Sequence, residues 1–517
     1  MRRVGIHGTE PLYGLEATRS IERTASSALP PHTLMARAGL RVAELTRALA
    51  PHARRIWIAC GPGNNGGDGL VAATHLQHFG RSTGGLPDIV VTLCGDPARL
   101  PPDAAHALQQ ALATGLQIQD APPSSFDFAI DALLGIGCRR PPEGLLADHL
   151  RILRSSGAPV LSVDLPSGLD TNTGVLMRAP GENPQASQER HTLSLLTLKP
   201  GLFTANGRDE AGQVWFDDLG VPPCDGVLAQ AQLICEAPHS TAPGRRAHAT
   251  HKGSYGEVVI LGGQDIAQAG AGMTGAAVLA ARAALHGGAG RVYVALLGET
   301  PGEPAVRWDP ECPELMFRSV AALMSSALMQ TAVIVCGCGG GDVVAELLPA
   351  VLAQAPALVL DADALNAIAK DSHLQARLQE RSASDWITVL TPHPLEAARL
   401  LGSDTATVMS DRLSAAQRLS DRFAAVCVLK GSGTVISAPG RIPMINASGN
   451  AALATAGTGD VLAGMIGSAL ALPPGSFEQT VQRVAGAVHQ HGRLADRWIQ
   501  AAHVGHLTAS MLAEQAL

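Results

Sequence analysis

At 517 residues the chain is too long for one ordinary core, and roughly 100–200 residues per domain implies two large domains or three smaller ones. Hydrophobic residues at 46% against 16% charged exclude a disordered chain. A net charge of -7 excludes the basic footprint of a nucleic-acid binder. No run approaches the roughly 20 apolar residues of a membrane span, and the N-terminus carries Arg2 and Arg3 without the apolar stretch of a secretory signal. The nine cysteines form no CxxC pair, the nearest two being Cys336 and Cys338, so buried reduced thiols and a cytoplasmic location are expected.

The first half repeats a short apolar strand, a Gly- or Asp-bearing turn and a helical pattern. Strands are predicted over 55–60, 88–94, 126–131, 159–164 and 193–198. Strands alternating with helices imply parallel pairing through right-handed crossovers, and near-continuous apolar character suits strands buried on both faces. The expectation is a doubly wound, Rossmann-like α/β sheet with ligands at the C-terminal strand ends. A second α/β series follows a weak boundary at Val221-Pro222-Pro223, with strands predicted over 257–261, 291–296, 332–336, 357–360, 387–390 and 425–429. The border is placed at about residue 227, giving domains 1–227 and 228–517, and the Pro-, His- and Arg-rich stretch 237–247 reads as an irregular connection.

The strongest local signal in the first half is Gly61-Pro62-Gly63-Asn64-Asn65-Gly66-Gly67-Asp68-Gly69, directly after the first strand and before a helical pattern over 70–79. Glycines let backbone amides approach a ligand, and a following helix adds a positive dipole end. The stretch is neither a Walker loop nor G-x-G-x-x-G. Its Asn and Asp side chains add hard oxygens suited to a group IA or IIA cation. Two further strand ends bring Asp131 (DALLGIG) and Asp164 (VDLPSGLD). A single strand-end Asp often only caps the next helix. Three such loops in one parallel sheet are expected to converge on one crevice.

Together GPGNNGGDG, DALLGIG and VDLPSGLD, with Leu34-Met35-Ala36-Arg37-Ala38-Gly39 and Lys199-Pro200-Gly201, resemble the NAD(P)H-hydrate epimerase domain of the YjeF N-terminal type, over nearly all of the first half. The resemblance implies that Asn64, Asn65, Gly66, Gly67 and Asp68 contact the hydrated nucleotide, that Asn65, Asp131 and Ser167 ligate potassium, and that Gly135, Ile136, Gly137, Cys138, Arg139, Arg140 and Pro141 line the substrate site. It places Asp164 at the altered nicotinamide ring, where a carboxylate suits the acid/base work of inverting C6. Arg139 and Arg140 suit a phosphate contact or a solvated loop equally.

In the second half the key stretch is Asn446-Ala447-Ser448-Gly449-Asn450 followed by Ala456-Gly457-Thr458-Gly459-Asp460-Val461-Leu462-Ala463-Gly464. A Gly-Thr-Gly turn feeding a helix makes an anion hole from unpaired N–H groups, and Asp460 at its start suits a base that deprotonates an attacking hydroxyl. The alternative is an Asp favoured there only by the helix dipole. This arrangement resembles the ribokinase superfamily. With His251-Lys252-Gly253-Ser254-Tyr255-Gly256, Thr274-Gly275-Ala276-Ala277, Asp361-Ala362-Asp363-Ala364-Leu365-Asn366, Thr391-Pro392-His393-Pro394-Leu395-Glu396 and Leu429-Lys430-Gly431-Ser432-Gly433-Thr434 it resembles, more narrowly, the ADP-dependent NAD(P)H-hydrate dehydratase domain. The resemblance runs from about residue 244 to the C-terminus.

That resemblance implies adenine-nucleotide binding by Lys430, Gly431, Ser432, Gly433, Thr434 and Gly459, and contact with the hydrate by Ala276, Gly339, His393 and Asp460. Where the family usually shows Gly-Pro-Gly-Leu-Gly, this chain has Gly337-Cys338-Gly339-Gly340-Gly341; glycine is kept at the three outer positions, so close backbone approach is expected to survive. The implied chemistry is that Asp460 frees the C6 hydroxyl to attack the β-phosphate of ADP, with magnesium on the diphosphate, AMP released, and phosphate then expelled by the ring nitrogen. NADHX, NADPHX and ADP are the expected partners, in a homo-oligomer. His489 and His491 read as packing or surface histidines. Two rivals stand beside this reading: an ATP-dependent kinase of a small alcohol in the second half, and a non-catalytic binding module in the first.

Overall fold

The first sheet grows outward from Arg55–Cys60, whose residues Trp57, Ile58, Ala59 and Cys60 are wholly buried. The chain first builds to one side, through Asp88–Leu93 and Ile118–Gln119, then crosses back and continues on the other side through Phe128–Ala132, Val160–Val163, Arg190–Leu195 and Gln213–Asp217. Every pairing among these strands is parallel; Arg2–Arg3 adds an antiparallel edge against Gln213–Asp217. The reversal leaves a switch point between Arg55–Cys60 and Phe128–Ala132, where doubly wound sheets hold ligands.

A computed structural model describes residues 1–5, 7–83, 87–178, 189–224, 226–237, 248–266, 272–298, 308–473, 475–501 and 505–516. The chain divides into two units, Met1–Gln232 and Leu233–Leu517. Of the connection predicted over 237–247, residues 238–247 lie outside the described part.

The second unit repeats the strategy. Its sheet starts at Glu257–Gln264, adds Arg291–Leu297 and Met316–Phe317 to one side, then returns through Val333–Cys336, Ala357–Leu360, Ile387–Leu390 and Val426–Leu429, all parallel. Val435–Ser437 and Met444–Asn446 continue it antiparallel. Over it lie Thr274–His286, which buries Ala276, Ala277, Ala280, Ala281, Ala283 and Ala284, and Thr458–Leu470. A Cβ on Gly464 would come within 2.0 Å of the Ala280 carbonyl, so small side chains set how closely these helices cross. Among the described residues no helix is long and apolar enough to cross a membrane.

Two predicted boundaries move for local reasons. The helix expected over 70–79 spans Asn64–Thr83 and so begins inside the Gly-Asn-Asn motif. The strand expected over 193–198 is Arg190–Leu195, because Leu196 takes a left-handed φ of 66° and ends it.

Candidate active sites

In the first unit the turns after Cys60 and Ala132 meet at the switch point. A Cβ on Gly61 would lie 1.7 Å from the Leu133 carbonyl, so glycine is required there. Beside them opens a cavity of about 500 Å³, lined by Asn64, Asn65 and Asp68, by Gly135, Ile136, Gly137 and Cys138, and by Asp164, Glu22 and Asp103. Gly66 and Gly67 are not in its wall: a Cβ on Gly66 would strike the Gly61 carbonyl at 2.0 Å, and one on Gly67 the Met35 sulfur at 2.7 Å. Neither position has room for a side chain. Arg139, Arg140 and Pro141 also lie off the wall, and Arg139 reaches exposed Glu16 at 3.8 Å.

Asp164 follows the Val160–Val163 strand with a φ of 66°, a conformation non-glycine residues hold only where the surroundings enforce it. Its Oδ1 accepts from the Leu195 N–H at 3.0 Å and from the ammonium of Lys199. Lys199 is 0% exposed, while Asp164 keeps 15% exposure on the cavity side. The Lys199 Nζ also donates to the Leu195 carbonyl at 2.7 Å, which fixes the pair to one strand end. Burial and then the Asp164 charge push Glu22 up from its ordinary value, and burial followed by Asp164, Glu22 and Asp103 pushes Asp68 well up.

Asp131 lies behind this wall. It accepts from the Ser167 hydroxyl at 2.6 Å, the Ser167 N–H at 2.9 Å and the Leu133 N–H at 3.2 Å, and burial still pushes its carboxyl up. The Ser167 hydroxyl also accepts from the Leu134 N–H at 2.8 Å. The Asn65 Nδ2 is buried without a partner, and its side chain abuts Gly135.

In the second unit successive strand ends deliver the groups. Val333–Cys336 leads to Cys338, Ala357–Leu360 to Asp361, Ile387–Leu390 to Thr391 and His393, and Val426–Leu429 to Lys430. The Lys430 Nζ donates to Asp361 Oδ1 at 2.7 Å, and the Thr391 hydroxyl to the same oxygen at 2.7 Å. Thr458–Leu470 starts from Gly457, at φ 89°, and carries Asp460 in its first turn. A Cβ on Gly459 would sit 3.4 Å from the Lys430 Nζ, which shows how near the ammonium comes to this helix start. Burial and then the Asp361 charge push Asp460 up to about 6. On Lys430 burial opposes the charge, but Asp361 and Glu396 outweigh it and raise its pKa.

Gly339, at φ 59°, packs against Ala276: a Cβ there would come to 2.9 Å of the Ala276 Cβ. His393 caps the helix Pro394–Leu401, its Nδ1 accepting from the N–H groups of Leu395 at 3.1 Å and Glu396 at 3.3 Å. With Nδ1 an acceptor, the ring proton of the neutral form is on Nε2, 3.2 Å from Glu396 Oε1. Burial and the Lys430 charge hold His393 below its ordinary value; burial pushes Glu396 up to about 7. Gly431 and Ser432 are exposed and Gly433 is buried in the turn after Lys430. Under it the buried Arg412 donates to the carbonyls of Leu429, Lys430 and Gly433 at 3.2–3.4 Å. His489 and His491 are both buried. The His491 Nε2 donates to the Thr458 carbonyl at 2.9 Å, so it anchors the start of the Asp460 helix.

Residues 31–201 match the family described as YjeF-related protein N-terminus, and residues 258–516 the family described as NAD(P)H-hydrate dehydratase. Over 497 residues the chain is 36% identical to the bifunctional NAD(P)H-hydrate repair enzyme Nnr of Escherichia coli (strain K12), covering 93% of this chain and 87% of that one. It is 34% identical over 511 residues to the bifunctional NAD(P)H-hydrate repair enzyme of Leishmania braziliensis, covering 91% and 86%. The chain belongs to the bifunctional NAD(P)H-hydrate repair enzymes. Among solved structures, an ADP/ATP-dependent NAD(P)H-hydrate dehydratase from Bacillus subtilis, co-crystallized with ATP/Mg2+, is 28% identical and covers 53% of this chain and 91% of its own, with a TM-score of 0.42.

In this member of the repair-enzyme family several site groups escape the motifs. Lys199 sits in a recognised segment, yet nothing in the sequence says that it faces Asp164 from 35 residues away. Glu22 and Asp103 come from helices with no signature of their own. Arg412 reads as one more surface arginine of the amphipathic helix Arg412–Phe423 until its burial is seen.

Proposed function

We propose that the chain repairs hydrated nicotinamide nucleotides: the first unit interconverts the R and S epimers of NAD(P)HX, and the second dehydrates the S epimer to NAD(P)H with ADP as phosphoryl donor, giving AMP and phosphate. The observation that carries the reading is Asp460, at the start of a helix and beside the Lys430 ammonium, on one edge with Asp361 and His393. Asp460 takes the proton of the C6 hydroxyl as its oxygen attacks the β-phosphorus of ADP. The bond to the bridging oxygen breaks and AMP leaves. The C6–O bond of the phosphorylated hydrate then breaks, the ring nitrogen supplying the electron pair, and loss of the neighbouring proton restores the dihydronicotinamide. Lys430 and the helix amides stabilise charge on the phosphoryl oxygens. Magnesium arrives with the diphosphate as part of that substrate. Family membership over both halves weighs against the small-alcohol kinase and the inert binding module.

In the first unit Asp164 serves as the proton shuttle at C6, with Lys199 holding its carboxylate at one angle. The test is a mixture of both NADH-hydrate epimers with ADP, magnesium and potassium, followed by NADH absorbance at early times. Wild type is expected to convert all the hydrate, and Asp164→Asn to stop near the S-epimer fraction. Full conversion by Asp164→Asn at the wild-type rate would remove Asp164 from the role.

Asn65, Asp131 and Ser167 fit a potassium ion. They offer an amide oxygen, a carboxylate and a hydroxyl, all hard oxygen donors, and Asp131 is a buried carboxylate that a cation would keep ionised. Bound there, potassium supplies positive charge behind the cavity wall. Potassium at about a hundredfold over its Kd is expected to stabilise the first unit by about 2.7 kcal/mol. Asn65→Leu is expected to abolish that gain in a thermal melt against lithium; an equal gain in the variant would reject the site.

A further inference from the structure

We infer that Cys338 is a positioning residue for the base of the dehydratase site, its thiol lying between the carboxylates of Asp361 and Asp460 and offering its one proton to either, so that Asp460 stands ready to accept a proton. The inference rests on the reading of Asp460 as base.

The geometry is local and rigid. The Cys338 Sγ and one carboxylate oxygen each of Asp361 and Asp460 lie within 4.8 Å of one another. The thiol donates toward Asp361 Oδ2 at 3.8 Å, and a carboxylate oxygen of Asp460 lies within 4.8 Å of the same sulfur. Gly337 and Gly339, at φ 114° and 59°, flank it, and its carbonyl accepts from the Gly263 N–H at 2.9 Å. Cys338 is wholly buried. Burial followed by the charges of Asp361 and Asp460 holds the thiol well above its ordinary value, so it stays a protonated donor.

Two carboxylates this close repel, and the repulsion favours protonation of the one that should be a base. Lys430 answers the charge of Asp361. The thiol is the neutral donor between the two; with its proton turned to Asp460 it lowers the pKa that burial and Asp361 raise. The other titratable groups around this centre are Asp363, which accepts from the Gly341 N–H, Glu396 and His393 beyond Lys430, and His491 on the helix Phe477–Gln500 behind Thr458. None of the contacts recorded for these four places a donor on Asp460.

The test is kcat against pH for dehydration of the S epimer at saturating ADP and magnesium. Cys338→Ala and Cys338→Val, which lack the donor, are expected to move the acid limb up by roughly half to one pH unit. Their rate at alkaline plateau is expected within about threefold of wild type, and the KM for ADP unchanged. Cys338→Ser keeps a donor and is expected to return the limb to the wild-type position. An acid limb unmoved in Ala and Val, or one in Ser above wild type, would reduce the thiol to packing. Wild-type turnover by Asp460→Asn would instead overturn the base assignment beneath the inference, a result distinct from failure of the thiol.

Discussion

Asp460→Asn is expected to fold, to bind both nucleotides and to lose dehydration by about a thousandfold or more, the upper range for removing a positioned general base. Early NADH formation from the pure S epimer with ADP and magnesium measures it. Asparagine keeps the size of the side chain and its place at the helix start, so a large loss isolates the proton acceptor from the scaffold. The wild-type kcat profile is expected to fall on acidification through about pH 6, where Asp460 takes up its proton. Stability moves the other way. The folded pKa lies above the ordinary carboxylate value of 3.8, so the folded chain holds this proton more tightly than the unfolded one. The stabilisation is complete below about pH 4 and is lost as pH rises through about 6. At pH 7 the native carboxylate is therefore a cost that asparagine removes, and the variant is expected to be more stable by about 1–3 kcal/mol. A loss of activity below tenfold, or a variant less stable than wild type at pH 7, would contradict the assignment.

That Asp460 stood out in the sequence at all depends on a short-range pattern. Gly457-Thr458-Gly459-Asp460 fixes a turn, a helix start and an acid within four positions, and each has a local physical cause. The same holds for Gly61 to Asp68. Strands were legible where both faces are buried, as in Arg55–Cys60 and Val426–Leu429, because their apolar runs are continuous. Arg2–Arg3, Ile118–Gln119, Met316–Phe317 and Met444–Asn446 are two or three residues long, too short to show any period. Gln213–Asp217 is longer but is covered unevenly, with Val214 and Asp217 buried and the rest partly open.

What pattern reading does not reach is pairing across the fold. Asp361 and Lys430 are 69 positions apart, Asp164 and Lys199 35, and each pair is made because parallel strands end on one edge. Gly66 and Gly67 lie in the most telling motif, and packing demands their missing side chains: a Cβ would meet the Gly61 carbonyl at the first and the Met35 side chain at the second. A motif marks which residues are constrained and leaves open whether the constraint is chemistry or packing.

Lys199→Met is expected to abolish epimerisation and to destabilise the first unit by about 3–5 kcal/mol, while dehydration of pure S epimer continues. The argument is electrostatic. Lys199 is 0% exposed and its ammonium meets Asp164, Leu195 and Ser194 at the end of one strand. Removing one partner of a buried pair strands the other charge, and that loss falls in the range of about 3–5 kcal/mol. Asp164 is already near the carboxyl groups of Glu22 and Asp68, so the stranded charge has acidic neighbours. The double variant Asp164→Asn with Lys199→Met removes both charges and is expected to recover most of the stability with none of the epimerase activity. Urea titration followed by epimerase turnover for wild type, and by circular dichroism for the variants, gives the three stabilities. A single variant as stable as wild type would mean that the pair is not held as described; recovery of epimerisation in the double variant would mean that inversion at C6 needs neither group.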